Sequence, residues 1–173
     1  MRYIHCTYDM HAPAILNILN EAIVNSTALY DYQPRTLESM VSWFKTKDAG
    51  SYPVIGVHDD SNQLLGFASY GAFRSWPAYK YTIEHSVYIH KEHRGKGLGM
   101  ALMQRLIEEA RSQQYHVIVG GIDATNLASI SLHEKLGFSH AGTIKHVGFK
   151  FNRWLDLAFY QLVIDTPAEP VDG

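Results

Sequence analysis

The 173-residue chain reads as one α/β domain, a mixed and strongly twisted sheet with helices on both faces. Three observations predict this. Hydrophobic periodicity gives the order β-α-α-β-β-β-α-β-α-β, which interleaves strands and helices as a mixed α/β domain requires. The length suits one domain, and an apolar share of 46% is enough to fill its core. No repeat, linker or low-complexity tract interrupts the chain. Residues 1–165 are therefore expected to form the domain, and residues 166–173, with two prolines and no apolar period, a loose tail.

Taken in order, Arg2 to Thr7 is a short first strand. Asp9 suits the N-cap of the following helix, with Pro13 in its first turn. Ile15, Leu16, Ile18, Leu19, Ala22 and Ile23 give that helix its apolar face. A second helix begins after Thr36, with Leu37, Met40, Val41 and Phe44 on one side, and Gly50 and Pro53 end it. Val54 to His58 and Leu64 to Phe73 form a hairpin about the turn-rich Asp59-Asp60-Ser61-Asn62. Tyr79 to His90 is a long strand, with Tyr81, Ile83, His85, Val87 and Ile89 on one face and Lys80, Thr82, Glu84, Ser86 and Tyr88 on the other. A helix from about Leu98 to Gln114, a buried strand His116 to Ile122, a helix Asn126 to Leu136 and a final strand Leu155 to Ile164 complete the order.

Several function classes are disfavoured at this level. A net charge of -2 makes no demand for nucleic acid or a membrane surface. No stretch approaches the roughly 20 apolar residues of a membrane span, and Met1 to His5 opens no signal peptide. The single cysteine, Cys6, forms no internal disulfide, so a cytoplasmic location is expected.

The most informative segment is Arg94-Gly95-Lys96-Gly97-Leu98-Gly99, between a strand and a helix. Alternating glycines let backbone approach a ligand and align several N–H groups. The helix N-terminus adds positive potential, so a phosphate or pyrophosphate is the natural occupant. Alone, the string fits an ordinary glycine-rich turn as well. It is neither a P-loop, which needs G-x-x-x-x-G-K-[ST], nor a dinucleotide fingerprint, whose spacing and position differ.

A second segment, Asn126-Leu127-Ala128-Ser129-Ile130-Ser131-Leu132-His133-Glu134-Lys135-Leu136-Gly137-Phe138, follows at a fixed remove. Together the two segments resemble the acetyl-CoA pyrophosphate loop and the later motif of the GNAT N-acetyltransferases. Tyr81 to Ile89, Val147 to Asp156, Asn17 to Tyr32 and Ser69-Tyr70-Gly71 are similar to the phosphinothricin and methionine sulfoximine N-acetyltransferase branch, so the resemblance spans all but the tail. It implies a GNAT-type fold, acetyl-CoA as co-substrate, and direct transfer to the α-amino group of a small, carboxylate-bearing amine, an activity associated with herbicide resistance. A homodimer is also implied, with the Val147 to Asp156 stretch as a loop that helps close the pocket.

The resemblance assigns roles by position. Val87, Tyr88 and Ile89 would pair their backbone with the pantetheine arm as an added strand. Arg94, Gly95, Lys96, Gly97, Leu98, Gly99 and Met100 would hold the pyrophosphate, and Asn126 would hydrogen-bond the cofactor, although an N-cap role suits Asn126 equally. Glu84 would be the base that deprotonates the attacking ammonium, with burial raising its pKa. A lone glutamate on a strand is otherwise read as a solvated charge. Arg74 would bind the substrate carboxylate through its planar fork, with Ser75, Trp76, Glu84, His85 and Ser86 lining the pocket. Ser75-Trp76-Pro77 departs from the branch, which puts side-chain preference in question. His133 stands where many members carry a tyrosine that donates a proton to the departing thiolate. Asn126, Ser129 and His133 share a helix face.

Cys6 has no basic neighbour in a motif, so direct transfer is favoured over a covalent intermediate. The nearest histidine pairs, His85/His90 and His90/His93, lie on a strand and a loop without a third-ligand pattern, and no metal is expected. The alternatives are acetylation of a protein N-terminus, a non-catalytic acetyl-CoA sensor, and a nucleotide-binding module.

Overall fold

The structure is a computed structural model that describes every residue, Met1–Gly173. It contains two compact units: Met1–Tyr70 with Ser86–Leu106, and Gly71–His85 with Ile107–Gly173. Strand β4 (Thr82–Ile89) contributes its first half to the second unit and its second half to the first. No helix is long and apolar enough to cross a membrane.

In the first unit, β1 (Arg2–His5), β2 (Val54–His58) and β3 (Leu64–Ala72) pair antiparallel, from Arg2↔His58 and Val54↔Ser69. The turn between β2 and β3 is closed by Asp59, whose carboxylate accepts from the N–H groups of Ser61 and Gln63. At the far edge of β3, the N–H of His90 donates to the carbonyl of Leu65 at 2.8 Å. The helices α1 (Tyr8–Asn25) and α2 (Leu37–Ala49) cover one face, where Ala12, Ile15, Ile18, Leu19, Met40 and Phe44 bury themselves against Val54, Leu64 and Phe67. Ile4 joins that cluster, whereas Tyr3, on the opposite face of β1, lies under the guanidinium of Arg105 at 3.7 Å. Arg105 belongs to α3 (Leu98–Ser112), so helices flank both faces. The N-cap of α1 is Thr7 rather than Asp9, which sits in the first turn. Pro13 lies inside the helix, where it supplies no N–H to the ladder. Thr36 caps α2 as its sequence suggests, accepting from Ser39 N–H.

In the second unit, β4 pairs parallel with β5 (Val117–Asp123) through Thr82↔Val117, Ile83↔Ile118 and Glu84↔Val119. Seven antiparallel pairs join β5 to β7 (Arg153–Val163), which pairs with β6 (Ser139–Lys150). Helix α4 (Leu127–Lys135) lies between β5 and β6 in the chain. β4 begins at Thr82 rather than Tyr79, because Pro77 opens a 3-10 turn over Pro77–Tyr79. β6 is absent from the order read from sequence, and Val147 to Asp156 is the end of a hairpin rather than a loop. Phe151 and Asn152, at φ 52° and 58°, form its two-residue turn. In the C-terminal stretch, Thr166 donates its hydroxyl to the carbonyl of Tyr115, and the N–H of Val171 donates to the Tyr81 hydroxyl at 3.1 Å.

One buried charge in the first unit has a thermodynamic consequence. Burial pushes the Lys47 ammonium from 10.5 down to about 8. Below pH 8 the folded state carries the whole desolvation penalty; between about 8 and 10.4 the unfolded chain binds more protons, so stability rises with pH. Lys47→Met is therefore expected to abolish the rise in stability between about pH 8 and 10. Denaturant melts of both proteins across this range check it.

Candidate active site

The acid–base candidates lie side by side on β4 and point to opposite faces. Two adjacent glycines of β5 make room for them. A Cβ on Gly121 would stand 3.3 Å from Glu84 Oε1, and a Cβ on Gly120 would stand 2.6 Å from His85 Nε2 and 3.2 Å from His133 Nε2. Glycine inside a strand marks close approach by another group, and here each glycine admits a different side chain. Neither glycine was singled out from sequence, although the Gly120-Gly121 pair within a strand was the available signal.

Glu84 lies over Gly121 beside Leu157. Burial raises its pKa above the ordinary carboxylate value, and the charge of Arg74 pulls part of that shift back. Arg74 itself is exposed, stacked on the Phe73 ring at 4.6 Å, with Ser75 and Trp76 also exposed beside it. The structure thus brings Arg74 and Glu84 into electrostatic contact. A groove of about 550 Å³ is lined by their neighbours rather than by Arg74 or Glu84 themselves. Its lining includes Phe73, next to Arg74; Thr82, on the same strand face as Glu84; and Val119, the ladder partner of Glu84. Gln161 and Thr143 contribute polar groups to it.

His85 is on the other face and does not meet Glu84. Its Nε2 lies 2.9 Å from His133 Nε2, and His133 Nδ1 lies 2.7 Å from the carbonyl oxygen of Ser129. That carbonyl can only accept, so His133 Nδ1 donates to it. In the neutral ring His133 Nε2 is then an acceptor, and His85 Nε2 donates to it. Burial lowers both pKa values, that of His85 to about 3, with His133 adding to the effect on His85. The rings stack at 4.9 Å and 24°, and Phe138 stands edge-on to both. Both nitrogens of His133 are therefore engaged within the protein, a partnership that its place in the sequence does not reveal. Gly120→Ala should force this pair apart and cost about 1–3 kcal/mol of stability through overpacking, with Glu84 untouched. Thermal melts of both proteins check it.

Asn126 is the N-cap of α4, its side-chain oxygen accepting from Ser129 N–H at 3.1 Å. Asn126, Ser129 and His133 therefore form one connected line along the helix, as their spacing suggests.

In the first unit, Ser86, Val87, Tyr88 and Ile89 are half-buried on β4. The Tyr88 ring packs on Phe67 at 5.5 Å, and Gly66 leaves room for the backbone at Tyr88 and Ile89. The loop that follows turns at Gly95 and Gly97, at φ 74° and 79°, a region that disfavours side chains. A Cβ at either would meet no atom within 4 Å, so the space over the loop is open. Gly97 O accepts from Ala101 N–H as α3 begins at Leu98, followed by Gly99 and Met100. The basic side chains are tied to the protein: Arg94 pairs with Glu21 and donates to Ile89 O, and Lys96 donates to Glu92 O. Backbone N–H groups are thus the free donors that this loop presents.

The fold also adds Glu92 to His90 and His93, giving three ligand-type atoms within 4.8 Å of one another. The sequence spacing did not reveal this third group. The Lys96 ammonium lies 3.4 Å from His93 Nδ1, a competing cation at the same place. Cys6 is buried, which pushes its thiol up to about 12 and leaves it a poor nucleophile.

Comparison with known proteins identifies the family. The model of the Acetyltransferase (GNAT) family matches residues 13–138. L-methionine sulfoximine/L-methionine sulfone acetyltransferase of Pseudomonas aeruginosa is 46% identical over 153 residues, 88% of this chain and 89% of that protein. The crystal structure of a ribosomal-protein-alanine N-acetyltransferase from Brucella melitensis superposes with a TM-score of 0.92 at 40% identity, covering 95% of this chain and 100% of that one. A GNAT superfamily phosphinothricin acetyltransferase from Sinorhizobium meliloti, solved with acetyl-CoA, superposes with a TM-score of 0.93 at 32% identity, covering 99% and 94%. A glycine loop with open space above it, a half-buried glutamate beside an arginine, and a family match over most of the chain converge: the protein belongs to the GNAT acetyltransferase family.

Proposed function

We propose that the protein moves the acetyl group of acetyl-CoA to the α-amino group of a small amino-acid-like substrate such as methionine sulfoximine or phosphinothricin, directly within a ternary complex. The observation that carries this is Glu84, half-buried with a raised pKa and within the field of Arg74. A base next to a carboxylate receptor is what an α-amino acid acceptor requires.

Arg74 binds the substrate carboxylate, with Ser75 and Trp76 beside it, and Glu84 accepts the ammonium proton. The freed nitrogen attacks the thioester carbon; the C–N bond forms, the C–S bond breaks, and the thiolate leaves. Such a thiolate, of pKa about 8.5, needs little help to depart. Main-chain groups of Val87, Tyr88 and Ile89 hold the pantetheine arm, and the N–H of Tyr88 polarises the thioester oxygen. The loop from Arg94 to Met100 receives the pyrophosphate on its backbone N–H groups, for which Gly95 and Gly97 leave space. Asn126 contributes its amide to the cofactor. The groove bordered by Thr82, Val119 and Gln161 takes the substrate side chain. The proposal includes a cytoplasmic homodimer, supported by exposed Val147, Phe149, Phe151 and Trp154 on the β6–β7 hairpin and by the single cysteine.

The Brucella relative gives weight to a second reading, acetylation of a protein N-terminus. Thiol release with a panel of amines separates the two: methionine sulfoximine, methionine sulfone, phosphinothricin, ordinary amino acids and an alanine-terminated peptide. Turnover of the sulfur or phosphinic amino acids supports the proposal. Turnover of peptide alone moves the function to protein acetylation.

A further inference from the structure

β5 ends on Asp123, and a short turn leads from it through Thr125 to Asn126, the N-cap of α4. The Asp123 side chain is almost wholly enclosed, at 1% exposure. One carboxylate oxygen accepts from the Thr125 N–H at 2.9 Å and from the Thr125 hydroxyl at 2.8 Å. The other accepts from the Arg153 guanidinium at 2.9 Å. The main-chain carbonyl of Asp123 accepts from the Asn126 N–H at 2.8 Å. The turn is therefore built around one buried carboxylate, and such a group persists only where charge and hydrogen bonds answer it.

Arg153 reaches this turn from another element. It is the first residue of β7, directly after the Phe151–Asn152 turn of the hairpin. A backbone bond runs beside it, from the Ala124 N–H to the carbonyl of Asp156 at 2.9 Å. The β6–β7 hairpin thus braces the 123–126 turn through one charge-assisted bond and one main-chain bond. Asn126 needs such bracing. At φ -84° and ψ 75° it lies outside the extended conformation usual for an N-cap. Its amide oxygen is taken by the Ser129 N–H, which leaves the amide NH2 as the group for acetyl-CoA.

We propose that Asp123 and Arg153 are positioning residues for acetyl-CoA, a buried ion pair that fixes the 123–126 turn and so aims the Asn126 amide. Neither residue need touch the cofactor. A hydrogen bond weakens steeply when its donor is misaligned, so the aim of the amide decides what it contributes. The inference rests on the cofactor role proposed above for Asn126.

Titration of the full-length protein with acetyl-CoA tests this, beside thermal melts and KM for the amine. Asn126→Ala should weaken acetyl-CoA binding about five- to tenfold, the value of one hydrogen bond. Arg153→Met should weaken it about three- to tenfold and leave KM for the amine unchanged. Arg153→Lys, which keeps the charge, should recover most of that loss. In the Asn126→Ala background, Arg153→Met should add less than about twofold, because the amide it aims is gone. Thr125→Val removes one bond to the carboxylate at an exposed position. It should weaken binding in the same way, and it carries the test if Arg153→Met does not fold. Losses that multiply in the double variant overturn the inference, as does wild-type affinity in the folded single variants at 153 and 125. Wild-type affinity in Asn126→Ala overturns it together with the cofactor role of Asn126. Amine-dependent thiol release by the wild type judges the transferase reading separately.

Discussion

Glu84→Gln should lower kcat by about 100- to 1000-fold while leaving the fold intact, the range that a general base contributes. Glutamine keeps the shape and the hydrogen-bonding capacity of the side chain over Gly121 but cannot take a proton. The same substitution should raise the melting temperature at pH 7. A carboxyl whose folded-state pKa is raised stabilises the protein only at low pH, below its unfolded value, and that contribution is lost as pH rises through the folded value. At neutral pH, then, the folded state carries a penalty for an ionised Glu84, and glutamine removes it. A variant that is more stable and far less active identifies a residue held in place for chemistry. If Glu84 only steadied the ammonium, KM for the amine would rise and kcat would hold.

Gly97→Val should raise KM for acetyl-CoA about 100-fold or more and leave KM for the amine nearly unchanged. Two effects combine. A β-branched residue at φ 79° is strained by about 1–3 kcal/mol. Its side chain would also fill the open space above the loop, which the proposed function assigns to the pyrophosphate. Because a Cβ at Gly97 meets no protein atom within 4 Å, crowding by the protein itself does not explain such a loss. Isothermal titration with acetyl-CoA, beside a thermal melt, separates the two effects. Unchanged cofactor affinity in a folded variant would move the pyrophosphate elsewhere.

Most of the fold was legible because its cores obey simple periods. The apolar face of α1 recurs every three or four residues and buries as a unit, and strand geometry alone turns the adjacent Glu84 and His85 of β4 to opposite faces. β6 was missed for the converse reason. It is an edge strand, exposed along most of its length, with Gly142, Gly148 and two register shifts, so it has no apolar face to advertise it. The glycine loop and Asn126 were legible as motifs, but the engagement of Arg94 with Glu21 was not, since the two residues are distant in sequence. The same holds for His85 and His133, whose contact depends on the space at Gly120. Glu92 joined His90 and His93 only through the 3-10 turn over Lys91–His93. Spacing along a chain reports helix and strand neighbours; partnerships across elements need the fold.

The most direct test of the mechanism measures free thiol and N-acetylated product together, with L-methionine sulfone as acceptor, in wild type and Glu84→Gln. The mechanism predicts one thiol for each acetylated amine in the wild type and loss of both in the variant, with acetyl-CoA binding retained. Thiol release without N-acetyl product, or full activity in Glu84→Gln, would contradict direct transfer to an amine deprotonated by Glu84.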